Sequence, residues 1–153
     1  MRTYVNSTIY NALPDGLRNG IIDTYVVSSH GSNTTTGNIQ NENAGVLEDN
    51  NYFSNDKLYL LSPQEVYGAS FTVQYDSSNG TSRQLDYYAN NNVSTSNCSG
   101  AIKNNGESAS WGWLRSASSN GDYSFYFVSI GGYWYGTDAY NSSGVSPAFR
   151  LAE

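Results

Sequence analysis

The sequence predicts an α+β domain, with two short helices early in the chain, a twisted antiparallel sheet late in it, and long loops between. Three observations carry that prediction. Apolar residues recur at helical spacing over 9–22, whereas those after Trp111 fall in short runs at strand spacing. Fifteen glycines against three prolines suit many turns joining short segments. Hydrophobic residues make up 38% of the chain and charged residues 13%, the reverse of a disordered composition and enough for one core in 153 residues. The whole chain, 1–153, therefore reads as a single domain.

Arg2 to Val5 reads as a short strand, with Asn6 or Ser7 placed to cap a helix that follows. Ile9, Tyr10, Leu13 and Leu17 share a helical face that Ile21 and Ile22 extend, and Pro14-Asp15-Gly16 breaks the segment in two. Thr24 to Ser28 is a β-branched strand. From Ser29 to Asn51 the chain is polar and aperiodic, a long surface loop. Lys57 to Leu61 reads as an apolar strand. Ser62-Pro63-Gln64-Glu65 is a helix start: Ser62 accepts from the Glu65 amide, Glu65 reaches back, and Pro63 takes the first helical position, where a missing N–H costs nothing. That helix runs through Val66 and Tyr67 and stops at Gly68; a second spans Leu85 to Ala89. Asn90 to Gly106 is another polar loop. Trp111 to Ser116, Tyr123 to Ile130, Tyr133 to Gly136 and Val145 to Leu151 read as strands, with Gly131-Gly132 as a hairpin turn.

Bulk charge narrows the function. A net charge of -6, with seven scattered basic residues, disfavours nucleic acid and anionic membranes, which need clustered Lys and Arg. No apolar run approaches the length that spans a bilayer, so membrane insertion is not expected. The N-terminus lacks the basic-then-apolar pattern of a signal peptide, and Met1 directly precedes domain-like sequence, as in the C-terminal part of a longer protein. Cys98 is the only cysteine and His30 the only histidine, which predicts a free or buried thiol, no metal and no cofactor. The acidic residues form no paired motif, and no nucleophile elbow or phosphate loop is present, so an enzyme is not expected.

The stretch from Trp111 to Leu151 differs from the rest. Its ends, Trp111, Trp113, Leu114 and Arg115, then Val145 and Pro147 to Leu151, are framework-like. Between them lie mostly Tyr, Ser, Asn, Asp, Gly and Thr, the mixture used by antigen-binding loops, where Tyr supplies rigid amphipathic area and Ser, Gly and Asn supply adaptable hydrogen bonds. The candidate ligand-binding residues are Asn120, Asp122, Tyr123, Ser124, Tyr126, Tyr133, Trp134, Tyr135, Thr137, Asp138, Tyr140, Asn141 and Ser143. Trp111, Trp113, Leu114, Phe125, Val128, Phe149 and Leu151 are the candidate core. Arg115 and Arg150 are candidates for buried ion pairs or carbonyl clamps at the two ends. The reading is a binding domain for a protein or cell-surface ligand. The alternatives are a structural module of a surface or tail protein with no ligand of its own, or an enzyme.

Four fragments carry a family resemblance: RTYVNSTIYNALPDGLRNGII at 2–22, LYLLSPQEVYG at 58–68, WGWLRSASS at 111–119 and GVSPAFRL at 144–151. Together they resemble bacterial and phage domains of the C-type-lectin-like fold, the superfamily of the formylglycine-generating enzymes, and within it the variable proteins of diversity-generating retroelements. The resemblance implies two helices flanking a twisted antiparallel sheet, and a ligand-binding face over 111–151 diversified by adenine-directed mutagenesis. It implies a place on a bacterial surface or a phage virion. It does not bring the enzymes' chemistry, because their copper-binding cysteine pair is missing and Cys98 stands alone. Nor does it bring calcium-dependent sugar binding, because the Glu-Pro-Asn or Gln-Pro-Asp triplet and the Trp-Asn-Asp segment of those lectins are absent.

Overall fold

The computed structural model describes residues 1–28, 44–46, 52–71, 84–118 and 124–152. Within them the class is α+β, with short helices and small antiparallel sheets. The N-terminus departs from expectation first. Arg2–Tyr4 (α1) is helical rather than extended; Val5–Ile9 continues it as a π-helical turn, and Tyr10–Ala12 (α2) completes the run. The physical reason is Asn6. Its Nδ2 donates to the Leu58 carbonyl at 2.7 Å and its Oδ1 accepts from the Leu58 amide at 2.9 Å, so one side chain satisfies both polar groups of a buried backbone residue. Val5, Ile21 and Leu58 bury together beneath this run, with Ile9, Tyr10, Leu13 and Leu17 packed on them. The break at Pro14 is as expected, and Asp15–Gly20 (α3) follows it.

Three small sheets follow from the next residues. Ile21–Ile22 (β1) pairs with Arg150–Leu151 (β10) and ties the segment after α3 to the last strand. Thr24–Ser28 (β2), expected as a strand, pairs antiparallel with Tyr52–Asp56 (β4), whose other edge carries Ala44–Val46 (β3). Thus β3 falls inside the expected loop; His30 and most of that loop lie outside the described residues. The expected strand at Lys57–Leu61 reduces to one bridge, in which Tyr59 and Ala148 exchange both backbone hydrogen bonds, at 3.0 and 2.7 Å. Lys103–Asn105 (β5) and Ser108–Ser110 (β6) form a hairpin around Gly106, which takes φ 66°.

Pro63–Tyr67 (α4) starts as its residues require. Ser62 Oγ accepts from the Glu65 amide at 3.1 Å, Glu65 Oε2 accepts from the Ser62 amide at 2.8 Å, and Gly68 ends the helix at φ 63°. Asp86–Asn90 (α5) is the second expected helix. Val66 and Tyr67 of α4 pack with Phe71, Tyr88, Val93 and Leu114 in the main core.

Gly112–Ala117 (β7), Ser124–Val128 (β8) and Trp134–Asp138 (β9) form the sheet that bears on function, in the order β7-β8-β9. Its hairpin turn is pinned at Gly132 (φ 83°). A Cβ there would lie 2.0 Å from the Cys98 carbonyl, and the Tyr67 hydroxyl donates to the Gly132 carbonyl at 2.6 Å. One face of the sheet, with Tyr126, Val128 and Leu114, closes the main core. The other buries Trp113 and Phe127 against Leu60. Trp113→Ala is expected to cost about 3–5 kcal/mol, as deletions of buried large aromatics do; an unchanged midpoint in a denaturant titration would show that the cluster does not depend on it.

Several expected core positions are corrected. Trp113, Leu114 and Val128 are buried, but Trp111, Phe125, Phe149 and Leu151 are exposed. Trp111 lies at the strand margin and lays its ring on Phe127 instead of inserting. Phe125 has the sheet parity of the open face. Phe149 and Leu151 lie on or beside the two-residue strand β10, too short to build a second layer.

Candidate recognition face

Cross-strand register decides which side chains of the 124–143 segment look outward. Phe125 pairs with Thr137 and Phe127 with Tyr135, so these four share one face; Ser124, Tyr126 and Val128 pair with Asp138, Gly136 and Trp134 on the other. The first set meets a short aromatic strip. The Trp111 ring stacks flat on Phe127, with centroids 4.8 Å apart and planes 6° from parallel, and the Tyr135 ring lies tilted to Phe127 at 6.0 Å. Phe127 is buried with Trp113 and Leu60, whereas Trp111 is 46%, Phe125 37% and Tyr135 54% exposed. Tyr133, in the turn before β9, and Tyr140, just after it, are also exposed. Asn141 is exposed and donates from Nδ2 to Thr137 Oγ1 at 2.8 Å, tying the end of the hairpin to its outward side.

The candidate residues thus divide. Tyr133, Tyr135, Tyr140 and Asn141 are exposed, and Thr137 is half-buried beside them. Tyr126 is corrected: at 1% exposure it is core, edge-on to Phe71 at 5.3 Å and to Trp134 at 5.7 Å. Trp134 is half-buried and packs on the same cluster, edge-on to Phe71 at 5.1 Å. Ser124 is buried and donates to Asp138 Oδ1 at 3.0 Å, so this pair links two strands on the inward side. Ser143 is half-buried, and its Oγ is sequestered from solvent. Asn120, Asp122 and Tyr123 lie outside the described residues. The face also recruits Trp111 and Phe125, which sequence reasoning had placed in the core. The signal for Phe125 was there in the parity of Ser-Phe-Tyr-Phe-Val, but that run carries aromatics on both faces, and parity alone does not say which looks out.

Arg115 fixes the other end of β7. Its Nε donates to the Val27 carbonyl at 2.8 Å, its Nη1 donates to the Leu60 carbonyl at 3.0 Å and to Glu65 Oε2, and its Nη2 donates to Glu65 Oε1 at 3.2 Å. The expected clamp is therefore present at Arg115, and it joins the β2 strand, the segment before α4 and the capping carboxylate in one fork. Arg150, expected to do the same, is instead exposed on the edge strand β10.

Three groups of this framework have pKa values displaced by burial. Burial pushes the Tyr67 hydroxyl well up and Tyr88 up to about 12. Burial also lowers Lys103, whose ammonium lies 4.9 Å from the Tyr88 ring centroid and donates to its hydroxyl. Cys98 is a free, buried thiol, 3.6 Å from the Gly131 carbonyl. Among the described residues no three His, Cys, Asp or Glu side chains gather as a metal site, and no helix is long and apolar enough to cross a membrane.

A protein-family model described as a domain of unknown function, DUF6273, matches residues 1–153. No curated protein and no solved structure matches the chain.

Proposed function

The chain belongs to the DUF6273 family, and we propose that it is a recognition domain, a C-type-lectin-like scaffold whose outward Tyr-rich face binds a protein or cell-surface ligand. The observation that carries this reading is the strip of Trp111, Phe125 and Tyr135, flanked by Tyr133 and Tyr140, all exposed on or beside one three-stranded sheet. Single exposed aromatics are ordinary; several brought together on one element suit a partner surface, because Trp and Tyr dominate interface hot spots and lose little side-chain entropy on binding. Thr137 and Asn141, beside them, supply a polar rim.

The resemblance to retroelement variable proteins extends the proposal: the outward positions of 111–151 are diversified at the DNA level, and the protein acts on a bacterial surface or a phage virion. The test is genomic. A reverse transcriptase and a near-copy of the 111–151 coding segment should lie beside the gene. Natural copies should differ at Tyr133, Tyr135, Thr137, Tyr140 and Asn141, while Leu114, Tyr126 and Val128 stay fixed. Differences spread evenly over buried and exposed positions, with no such neighbours, would instead favour a structural module without a ligand.

A further inference from the structure

A cavity lies beside this face. Between α1, the β2–β4 sheet and the start of the β7–β8 hairpin is a cavity of about 460 Å³. Its apolar walls include Val5, Val26, Leu58, Leu60, Trp113 and Phe125. The volume exceeds one side chain and falls in the range of small-molecule sites, roughly 300–1,000 Å³. Its polar groups are unequally free. Asp56 lines the cavity, but its oxygens already accept from Arg2 Nε at 2.7 and 3.0 Å, from Asn6 Nδ2 at 3.3 Å and from Ser54 Oγ at 2.5 Å. Arg115 is spent on Val27, Leu60 and Glu65. Arg2 also lines the cavity; its Nε and Nη2 serve Asp56 and the Asn55 carbonyl, whereas its Nη1 has no hydrogen-bond partner among the described residues.

We infer that this cavity binds a small, largely apolar molecule that ends in a carboxylate or a similar oxygen acceptor, held by Arg2 Nη1. The walls take the apolar body. Arg2 Nη1 takes the acceptor, and the acidic group that would attract a cation is already paired with the Arg2 guanidinium and hydrogen-bonded by Asn6 and Ser54. The ion pair with Asp56 also holds the guanidinium in place before the ligand arrives, so little side-chain entropy is lost on binding. The site does not depend on the recognition-face reading, although Phe125 borders both.

The test uses 4-phenylbutanoate as the probe and 4-phenylbutylamine as its cationic counterpart, titrated into the full chain by calorimetry and by amide chemical shifts. The expected result is one saturable carboxylate site per chain, with shifts at Val26, Leu58 and Trp113, and binding of the amine at least ten-fold weaker. Arg2→Lys keeps a positive charge beside Asp56 and deletes the spare N–H fork; it should weaken the carboxylate roughly ten-fold, as loss of a charged hydrogen bond does. Val26→Phe fills the cavity and should abolish binding of both. Its folding is checked by circular dichroism; should it fail to fold, Arg2→Lys and the wild-type shift map still decide. No saturable binding, equal binding of the amine, shifts confined to the aromatic strip, or no effect of Arg2→Lys would each overturn the inference.

Discussion

Replacing Arg115 by leucine is expected to destabilise the domain by about 3–5 kcal/mol, a large share of the roughly 5–15 kcal/mol that holds a domain folded. Leucine keeps some apolar contact and removes every donor. The Val27 and Leu60 carbonyls lose their partner, and the Glu65 carboxylate is left buried without its cation. The Arg115 and Glu65 side chains are only 8% and 12% exposed, so water does not replace what is lost. Lysine is expected to fail nearly as badly, because the donors of one compact ammonium do not span the separate positions that Arg115 reaches with Nε, Nη1 and Nη2. Arg115→Leu with Glu65→Gln should recover part of the loss, since the glutamine no longer buries a charge and still accepts from the Ser62 amide. Urea titrations of the two single variants and the double measure this. A cost below about 1 kcal/mol for Arg115→Leu, or strict additivity in the double variant, would show that the fork is incidental.

How far the fold was legible depended on the range of the interactions that decide each element. The helix start at Ser62 is local: four consecutive residues contain the whole capping box, and it forms as read. The break at Pro14 and the strand at Thr24–Ser28 are local in the same sense. The N-terminal run is not. Thr3, Tyr4 and Val5 favour a strand by propensity, but Asn6 docks on Leu58, 52 residues away, and tertiary contact overrides propensity. The hairpin at 103–110 was missed although Asn105-Gly106 is a turn signal, because Lys-Asn-Asn and Ser-Ala-Ser show no apolar alternation to mark strands. Composition marked a candidate region but not which of its side chains look outward. Ser124, Tyr126 and Asp138 belong to the same compositional run as Tyr135 and Thr137, and only the register with β9 separates the two faces.

That separation gives the last expected result. Tyr126→Ser is expected to destabilise the domain by about 3–5 kcal/mol, whereas Tyr133→Ser, Tyr135→Ser and Tyr140→Ser, made singly, should each change stability by no more than about 0.5 kcal/mol. Tyr126 is enclosed by Phe71 and Trp134, so its removal opens a cavity in the main core. Tyr135 and Tyr140 are 54% and 80% exposed, and their rings already meet water in the free protein. Their polar tips suit a partly wet interface, so what the three rings contribute is expected to appear only when a partner is bound. Display libraries measure both halves without a known ligand. Randomising Tyr133, Tyr135, Thr137, Tyr140 and Asn141 among Tyr, Ser, Asn and Asp should leave most members protease-resistant and yield specific binders to a panel of soluble protein targets. Randomising Ser124, Tyr126, Trp134 and Asp138 in the same way should leave few folded members and no binders. Equal tolerance of the two sets would remove the distinction between the faces, and collapse of the outward set would place those tyrosines in the framework and end the recognition reading.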